Sequence, residues 1–393
     1  MEQGDKKYIF GYFYQKRKRQ KSGLSAITVC LIFIAAFFGS VFYNICFIKC
    51  SDGALAVGGS SYIAMEQSTK RVLYGSNINA RLPMASTTKI MTAIIAIEKN
   101  DITKKVKIPR EAVGVEGSSI YLKENEEMTV EDLLYGLMLM SGNDSATALA
   151  VLSAGSVEKF AELMNKKAND LGAYNTQFAN PHGLHHPNHY TSAYDLALIT
   201  SYALNNPTFK KIVSSAKYTV KDTGSGVGAR YLHNKNKMLS MYNGADGVKT
   251  GYTKVSGRCL VSSAKRDGMQ VVAVVLNHPD MWNDSIGLLN RSFENFKLTK
   301  ILSADGGVSV PVSDGTKNSV KAAPRDFYYP LRNGEKATCK IETKKLKAPV
   351  KTGEIAGKIE ISIDNRLLFE EKLYTIDSVK EKGMLDYFKE LFD

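Results

Sequence analysis

The chain has 393 residues, 44% of them apolar, and a formal charge of +13. That length accommodates two domains of ordinary size with a substantial core. No basic run interleaves with aromatics, which argues against a nucleic-acid partner, while a basic surface suits an anionic cell envelope.

Part of the charge sits at the start, in Lys6, Lys7, Lys16, Arg17, Lys18, Arg19 and Lys21. Leu24 to Ile48 then carries no charged residue. Spanning a bilayer takes about 20 apolar residues. The basic flank keeps the N-terminus cytoplasmic and sends the rest outward. Ala54-Leu55-Ala56 has the A-x-A pattern of a signal-peptidase site. A retained cytoplasmic-membrane anchor and a leader cleaved near Ala56 both fit residues 1–56. Either one puts the bulk of the chain outside the cytoplasm. Of the five cysteines, Cys30, Cys46 and Cys50 lie in or beside this segment. Cys259 and Cys339 lack metal-ligand spacing and read as buried free thiols.

From residue 57 the pattern is mixed α and β. Ser61 to Met65 and Arg71 to Tyr74 read as a hairpin around Gln67-Ser68-Thr69-Lys70. Pro83-Met84-Ala85 leads into a helix with Ile90, Ala93, Ile94 and Ile97 on one face. Thr129 and Asp132 form a capping-box pattern before a helix striped with Leu133, Leu134, Leu137 and Met138. That helix stops at the turn-forming Ser141-Gly142-Asn143, and Asp144 opens the next. Ser156 caps a third, which stops at Gly172. From Asp246 the chain turns to strands: Val248 to Thr253, Cys259 to Ser263 and Val271 to Leu276. A helix follows around Ile286 to Phe296. Beyond about Gly306, Val308, Val310, Val312, Cys339, Ile341, Ile359, Ile361 and Ile363 alternate with period two. The expected organisation is therefore a main domain over 57–303, a β-rich domain over 304–375 and a short helical tail over 376–393. Leu385, Phe388 and Leu391 share one side of that tail, which either docks on its own domain or lies on a membrane.

Three short strings carry the chemistry: Ser86-Thr87-Thr88-Lys89, Ser141-Gly142-Asn143 and Lys249-Thr250-Gly251. Each alone is weak. Ser-x-x-Lys recurs at Ser156, Ser214 and Ser262, and Lys-Thr-Gly recurs at Lys351. Setting separates the copies: Ser156 is a helix cap, Ser262 and Lys265 fall on a strand end and its turn, and Lys351 sits in a turn. On a helix, Ser86 and Lys89 share a face one turn apart. Unpaired N–H groups at that helix start favour an oxyanion beside the serine. A neutral Lys89 can take the Ser86 proton. Burial and a nearby cation such as Lys249 both lower a lysine pKa. Ser141 can relay a proton to a leaving amine, and Asn143 can hold Lys89 and a substrate carbonyl. Lys249 and Thr250 offer a charge and a hydroxyl to an anionic group, and Gly251 leaves room for substrate backbone.

On these strings the chain resembles the low-molecular-weight penicillin-binding proteins, the serine D-alanyl-D-alanine carboxypeptidases of the peptidase S11 type. Leu82-Pro83-Met84-Ala85, Asn180-Pro181-His182-Gly183-Leu184, His189-Tyr190-Thr191-Ser192-Ala193 and Asp246 to Thr253 extend the likeness, which covers about residues 57 to 375. The resemblance implies an α/β fold: a β-lactamase/transpeptidase-like domain, with an antiparallel sheet flanked by helices plus an all-helical subdomain, followed by a small β-rich C-terminal domain. It implies a Ser86 acyl-enzyme with Lys89 as base and an oxyanion hole from the N–H groups of Ser86 and Tyr252. Lys249 and Thr250 would face the terminal D-alanine carboxylate of a peptidoglycan stem peptide laid along the Lys249 strand. β-Lactams would be covalent inhibitors. No cofactor and no metal are implied; the cluster His182, His185, His186 and His189 reads as a structural loop rather than a zinc site.

The middle string is Ser-Gly-Asn, as in this family. Class A β-lactamases carry Ser-Asp-Asn and a deacylating glutamate. No Glu-x-x-x-Asn follows Asn143 in the expected stretch, so a β-lactam should persist as a Ser86 ester. The alternatives are a β-lactamase-like hydrolase and a non-enzymatic β-lactam sensor. For a sensor, the residues before Leu24 are too few for a cytoplasmic output domain.

Overall fold

The computed structural model describes residues 60–222, 226 and 228–386. The apolar run Leu24 to Ile48, its cysteines and the A-x-A site lie outside the described residues. No described helix is long and apolar enough to cross a membrane.

The first hairpin forms where alternation predicts it. Strand β1 (Ser61–Glu66) pairs antiparallel with β2 (Val72–Ser76). A tight 3-10 turn, Ala85–Thr88, then runs directly into helix α1 (Lys89–Lys99). The small ribbon of β3 (Lys105–Lys107) and β4 (Glu127–Thr129) brackets a long loop. Thr129 caps α2 (Val130–Leu139) with the reciprocal Asp132 bonds of a capping box. Helices α3 (Asn143–Ala154) and α4 (Val157–Asp170) follow, the latter capped by Ser156 accepting from Lys159 N.

Two further helices, α5 (Ala193–Ala203) and α6 (Pro207–Ser214), and the ribbon β5 (Lys217–Val220) with β6 (Arg230–His233) were not anticipated. Their signals are local. Ser192 accepts from Asp195 N, and Asn206 caps a helix with proline in its first turn.

After the one-turn helix α7 (Met238–Met241) come β7 (Ala245–Thr253), β8 (Gly257–Arg266) and β9 (Met269–Leu276). With the first hairpin they make an antiparallel five-stranded sheet of order β2-β1-β9-β8-β7, which leaves β7 at an edge. Ser262 and Lys265 both fall inside β8, on alternate faces. β9 is buried throughout and apolar from Val271 onward because both its faces are covered. On one side Val272 and Val274 pack with α1 to α6. On the other, Val271, Ala273 and Val275 pack against α8 (Met281–Asn295). That helix begins five residues before Ile286, at Met281.

β10 (Phe296–Leu302) pairs with β13 (Phe327–Arg332), so the chain joins its C-terminal β unit before residue 304. That unit also holds β11 (Val308–Ser313), β12 (Ser319–Ala323), β14 (Ala337–Thr343), β15 (Leu346–Lys347), β16 (Ile355–Ile363) and β17 (Arg366–Thr375). These make a six-stranded sheet of order β14-β16-β17-β12-β11-β15. Val310, Val312, Ile359 and Ile361 line its own core. The fold is the expected one: an antiparallel sheet between helical layers, then a β-rich domain.

One expectation fails. Cys259 is a buried thiol, but Cys339 is exposed. It lies on the edge strand β14, which overhangs the core that β16 covers, so alternation there does not mean burial. Of the tail, Met384 and Leu385 are both exposed; Phe388 and Leu391 lie outside the described residues.

Candidate active site

The site is built where the start of α1, the turn between α2 and α3, and the edge strand β7 meet. Ser86 sits in the 3-10 turn, and Lys89 is the first residue of α1. Their spacing brings Lys89 Nζ to 3.0 Å from Ser86 Oγ. Lys89 also reaches Asn143 Oδ1 at 2.7 Å and the carbonyl oxygen of His182 at 2.5 Å.

The chemistry of these three partners differs. A carbonyl oxygen can only accept. Asn143 Oδ1 is an acceptor as well, because Asn143 Nδ2 donates to the carbonyl of Glu116 at 2.5 Å. A neutral lysine has two N–H donors and one lone pair. Its two donors are used by Asn143 and His182, and the lone pair is left facing the Ser86 hydroxyl.

Lys89 is 0% exposed. Its pKa lies well below the usual lysine value, first through burial and then through the positive charge of Lys249; Asp144 opposes this and Lys235 adds to it. Lys249 is itself 1% exposed. Burial, with Lys235 second, lowers its pKa to about 7. Its Nζ donates to the carbonyl of Thr250 at 3.0 Å.

Gly251 explains how β7 comes so near. A Cβ there would lie 3.1 Å from Ser86 N and 3.0 Å from the Met84 carbonyl, tighter than ordinary contact. The bare backbone of the edge strand therefore lies against the Ser86 amide. Tyr252 follows, 66% exposed. Alternate N–H groups of an edge strand have no ladder partner. Thr250 is half-buried beside Lys249.

Ser141 is buried at the α2–α3 turn with φ +63°, a left-handed conformation uncommon outside glycine and frequent at functional turns. Its hydroxyl makes no hydrogen bond among the described residues, so it is not joined to Lys89 as Asn143 is.

Several supporting residues carry no signature in the sequence. Asp144 accepts from Ile120 N, Leu122 N and Ser119 Oγ, and Asn143 N donates to the Ser118 carbonyl. The loop before β4 is thereby laced to the start of α3. Arg230 on β6 closes the same loop through the Ile120 carbonyl and a buried ion pair with Glu126, 2.7 Å at each oxygen. Lys235 reaches Ser118 Oγ at 3.4 Å. The Asn180 to Leu184 loop is held by Thr92 Oγ1 donating to the Pro181 carbonyl, which fixes the oxygen of His182.

Residues 49–280 match the family described as D-alanyl-D-alanine carboxypeptidase, Peptidase S11. Residues 296–381 match the penicillin-binding protein 5 C-terminal domain. Among curated proteins, D-alanyl-D-alanine carboxypeptidase DacF of Bacillus subtilis is 33% identical over 350 residues, spanning 85% of this chain and 89% of that protein. DacA of Haemophilus influenzae is 32% identical over 357 residues, 86% of this chain and 88% of its own. The crystal structure of penicillin binding protein 5 from Haemophilus influenzae superposes with a TM-score of 0.71 at 30% identity, covering 84% of this chain and all of that one. The chain belongs to the peptidase S11 family of D-alanyl-D-alanine carboxypeptidases and carries that family's penicillin-binding-protein type of C-terminal domain.

Proposed function

We propose that this chain removes the terminal D-alanine from peptidoglycan stem peptides through an ester on Ser86. The observation that carries this reading is the buried Lys89 amine, 3.0 Å from Ser86 Oγ, with its two donors already engaged. Lys89 takes the Ser86 proton as Oγ attacks the carbonyl between the two D-alanines. The N–H groups of Ser86 and Tyr252 hold the developing oxyanion. Lys249 and Thr250 hold the terminal carboxylate, and Gly251 lets the peptide backbone lie along β7. From Lys89 the proton passes to the leaving amine by way of Ser141, whose hydroxyl must first turn to bond Lys89; free D-alanine departs, and water then cleaves the acyl-enzyme.

Penicillin enters the same reaction and remains as a Ser86 ester. The catalytic part ends and the β-rich part begins where α8 gives way to β10, and the chain acts on the outer face of the cytoplasmic membrane. Anchoring by Leu24 to Ile48, or release after cleavage near Ala56, rests on the charge pattern of that segment.

The full chain is incubated with a peptide ending in D-Ala-D-Ala and free D-alanine is measured. Wild type releases it and Ser86→Ala releases none above background. Equal release from both would end the reading. Sustained turnover of a chromogenic cephalosporin would replace it with a β-lactamase.

A further inference from the structure

Beside the reacting groups lies a chain of buried hydrogen bonds that the reaction above does not use. The Ala179 N–H donates to His189 Nδ1 at 3.0 Å. His189 Nε2 lies 2.7 Å from Thr88 Oγ1. Thr88 Oγ1 donates to the carbonyl of Ala85 at 2.7 Å. The directions follow from valence. Nδ1 accepts, so a neutral imidazole carries its proton on Nε2 and donates it to Thr88. Thr88 has one proton, and it goes to Ala85. The ring stays neutral: burial first, then the charges of His182, His186, Lys89 and His185, lowers its pKa to about 3.

What the chain holds is the peptide unit before the nucleophile. Ala85 has φ +47°, where an alanine does not rest unaided. A Cβ on Gly183 would lie 1.9 Å from the Ala85 oxygen, so that oxygen is also backed by the Asn180 to Leu184 loop. In a trans peptide the N–H points opposite to the C=O. Fixing the Ala85 carbonyl toward Thr88 therefore aims the Ser86 N–H away from Thr88, on the side where Gly251 packs against Ser86 N.

We infer that Thr88 and His189 are positioning residues for the oxyanion hole, acting through the Ala85–Ser86 peptide plane. The inference rests on the Ser86 reading above. Ala179 donates and Thr88 accepts, so a side chain with one acceptor and one donor can replace the imidazole, and glutamine qualifies.

The test uses the full chain with His189→Gln, His189→Leu, Thr88→Val and the double variant Thr88→Val with His189→Leu. Steady-state D-alanine release gives kcat and KM, and intact-mass spectrometry gives the rate of acylation by penicillin. Removing one oxyanion donor typically costs about 10²-fold or more in rate, so mis-aiming one should cost at least about tenfold. Expected are losses of about that size in kcat and acylation for Thr88→Val and His189→Leu, with KM within about twofold, recovery in His189→Gln, and no further loss in the double variant. Should His189→Leu not fold, Thr88→Val and His189→Gln still decide. Thr88→Val with wild-type acylation, or His189→Gln lacking D-alanine release, overturns the inference. Release by Ser86→Ala would instead show that the Ser86 reading itself had failed.

Discussion

Lys89 and Lys249 share one repelling neighbour, Lys235, which lowers the pKa of both. In the proposed reaction Lys89 is the base and must be neutral to act, so activity should rise with pH as it loses its proton. In the same proposal Lys249 anchors the carboxylate and must be charged, so binding should weaken as pH passes about 7 and free Lys249 deprotonates. Taking a cation away raises the pKa of a nearby lysine. Lys235→Gln should therefore move both limbs of the kcat/KM profile to higher pH, and 1 M salt should shrink the difference, because Lys235 is exposed and screened. A profile that stays in place would show that Lys235 does not set these charges. Ser86 with Lys89 was legible because helical spacing alone brings i and i+3 together. Lys235, the His182 carbonyl and the Glu116 carbonyl that orients Asn143 were not, because only tertiary folding carries them to the site. Ser141 was legible as a turn, but its backbone twist leaves its hydroxyl off the Lys89 network.

Among the elements, the loop between β3 and β4 has little regular structure and several anchors. Asp144 and Asn143 hold one end of it, and the Arg230–Glu126 pair holds the other. Arg230→Met would take the guanidinium away from the Glu126 carboxylate, whose side chain is 0% exposed. Breaking such a pair from one side costs about 3–5 kcal/mol. Urea unfolding should show a loss of that order, and adding Glu126→Leu should recover part of it. An unchanged midpoint for Arg230→Met would refute the anchoring role. The strands β7 to β9 and helices α1 to α4 could be read from period and caps. Helix α5 could not, since it is apolar nearly all round with buried Ser201 and Thr200 among its residues, and so lacks a stripe.

At the scale of the molecule, Arg71 bridges the two folded parts, alongside Asn333, which donates to the carbonyls of Glu294 and Asn295. Arg71, beside the β1–β2 turn, donates to Glu335 at 2.5 and 2.8 Å and to the Pro330 carbonyl. Its guanidinium also lies 5.1 Å from the Phe296 ring centre and 4.9 Å from that of Tyr329. Arg71→Ala should leave D-alanine release from a soluble peptide within about twofold of wild type, because no reacting group touches it. Calorimetry should then resolve two unfolding transitions in place of one. A single transition at the wild-type temperature would count against Arg71 as the joint. The period-two pattern beyond Gly306 announced the second domain. It did not reveal that Phe296 to Leu302 already belongs to the β pairing, since that strand follows α8 without a break.

The open border of the main sheet has a second consequence. A strand with one side unpaired invites any extended polypeptide to zip onto it, including a neighbouring copy. Here the border carries a buried ammonium, Lys249, with a second cation, Lys235, near it, and an intruder that brings no negative charge leaves that cation uncompensated. A chain end bearing its own carboxylate meets no such obstacle. The feature suited to welcoming a peptide terminus thus also guards the protein against sticking to itself.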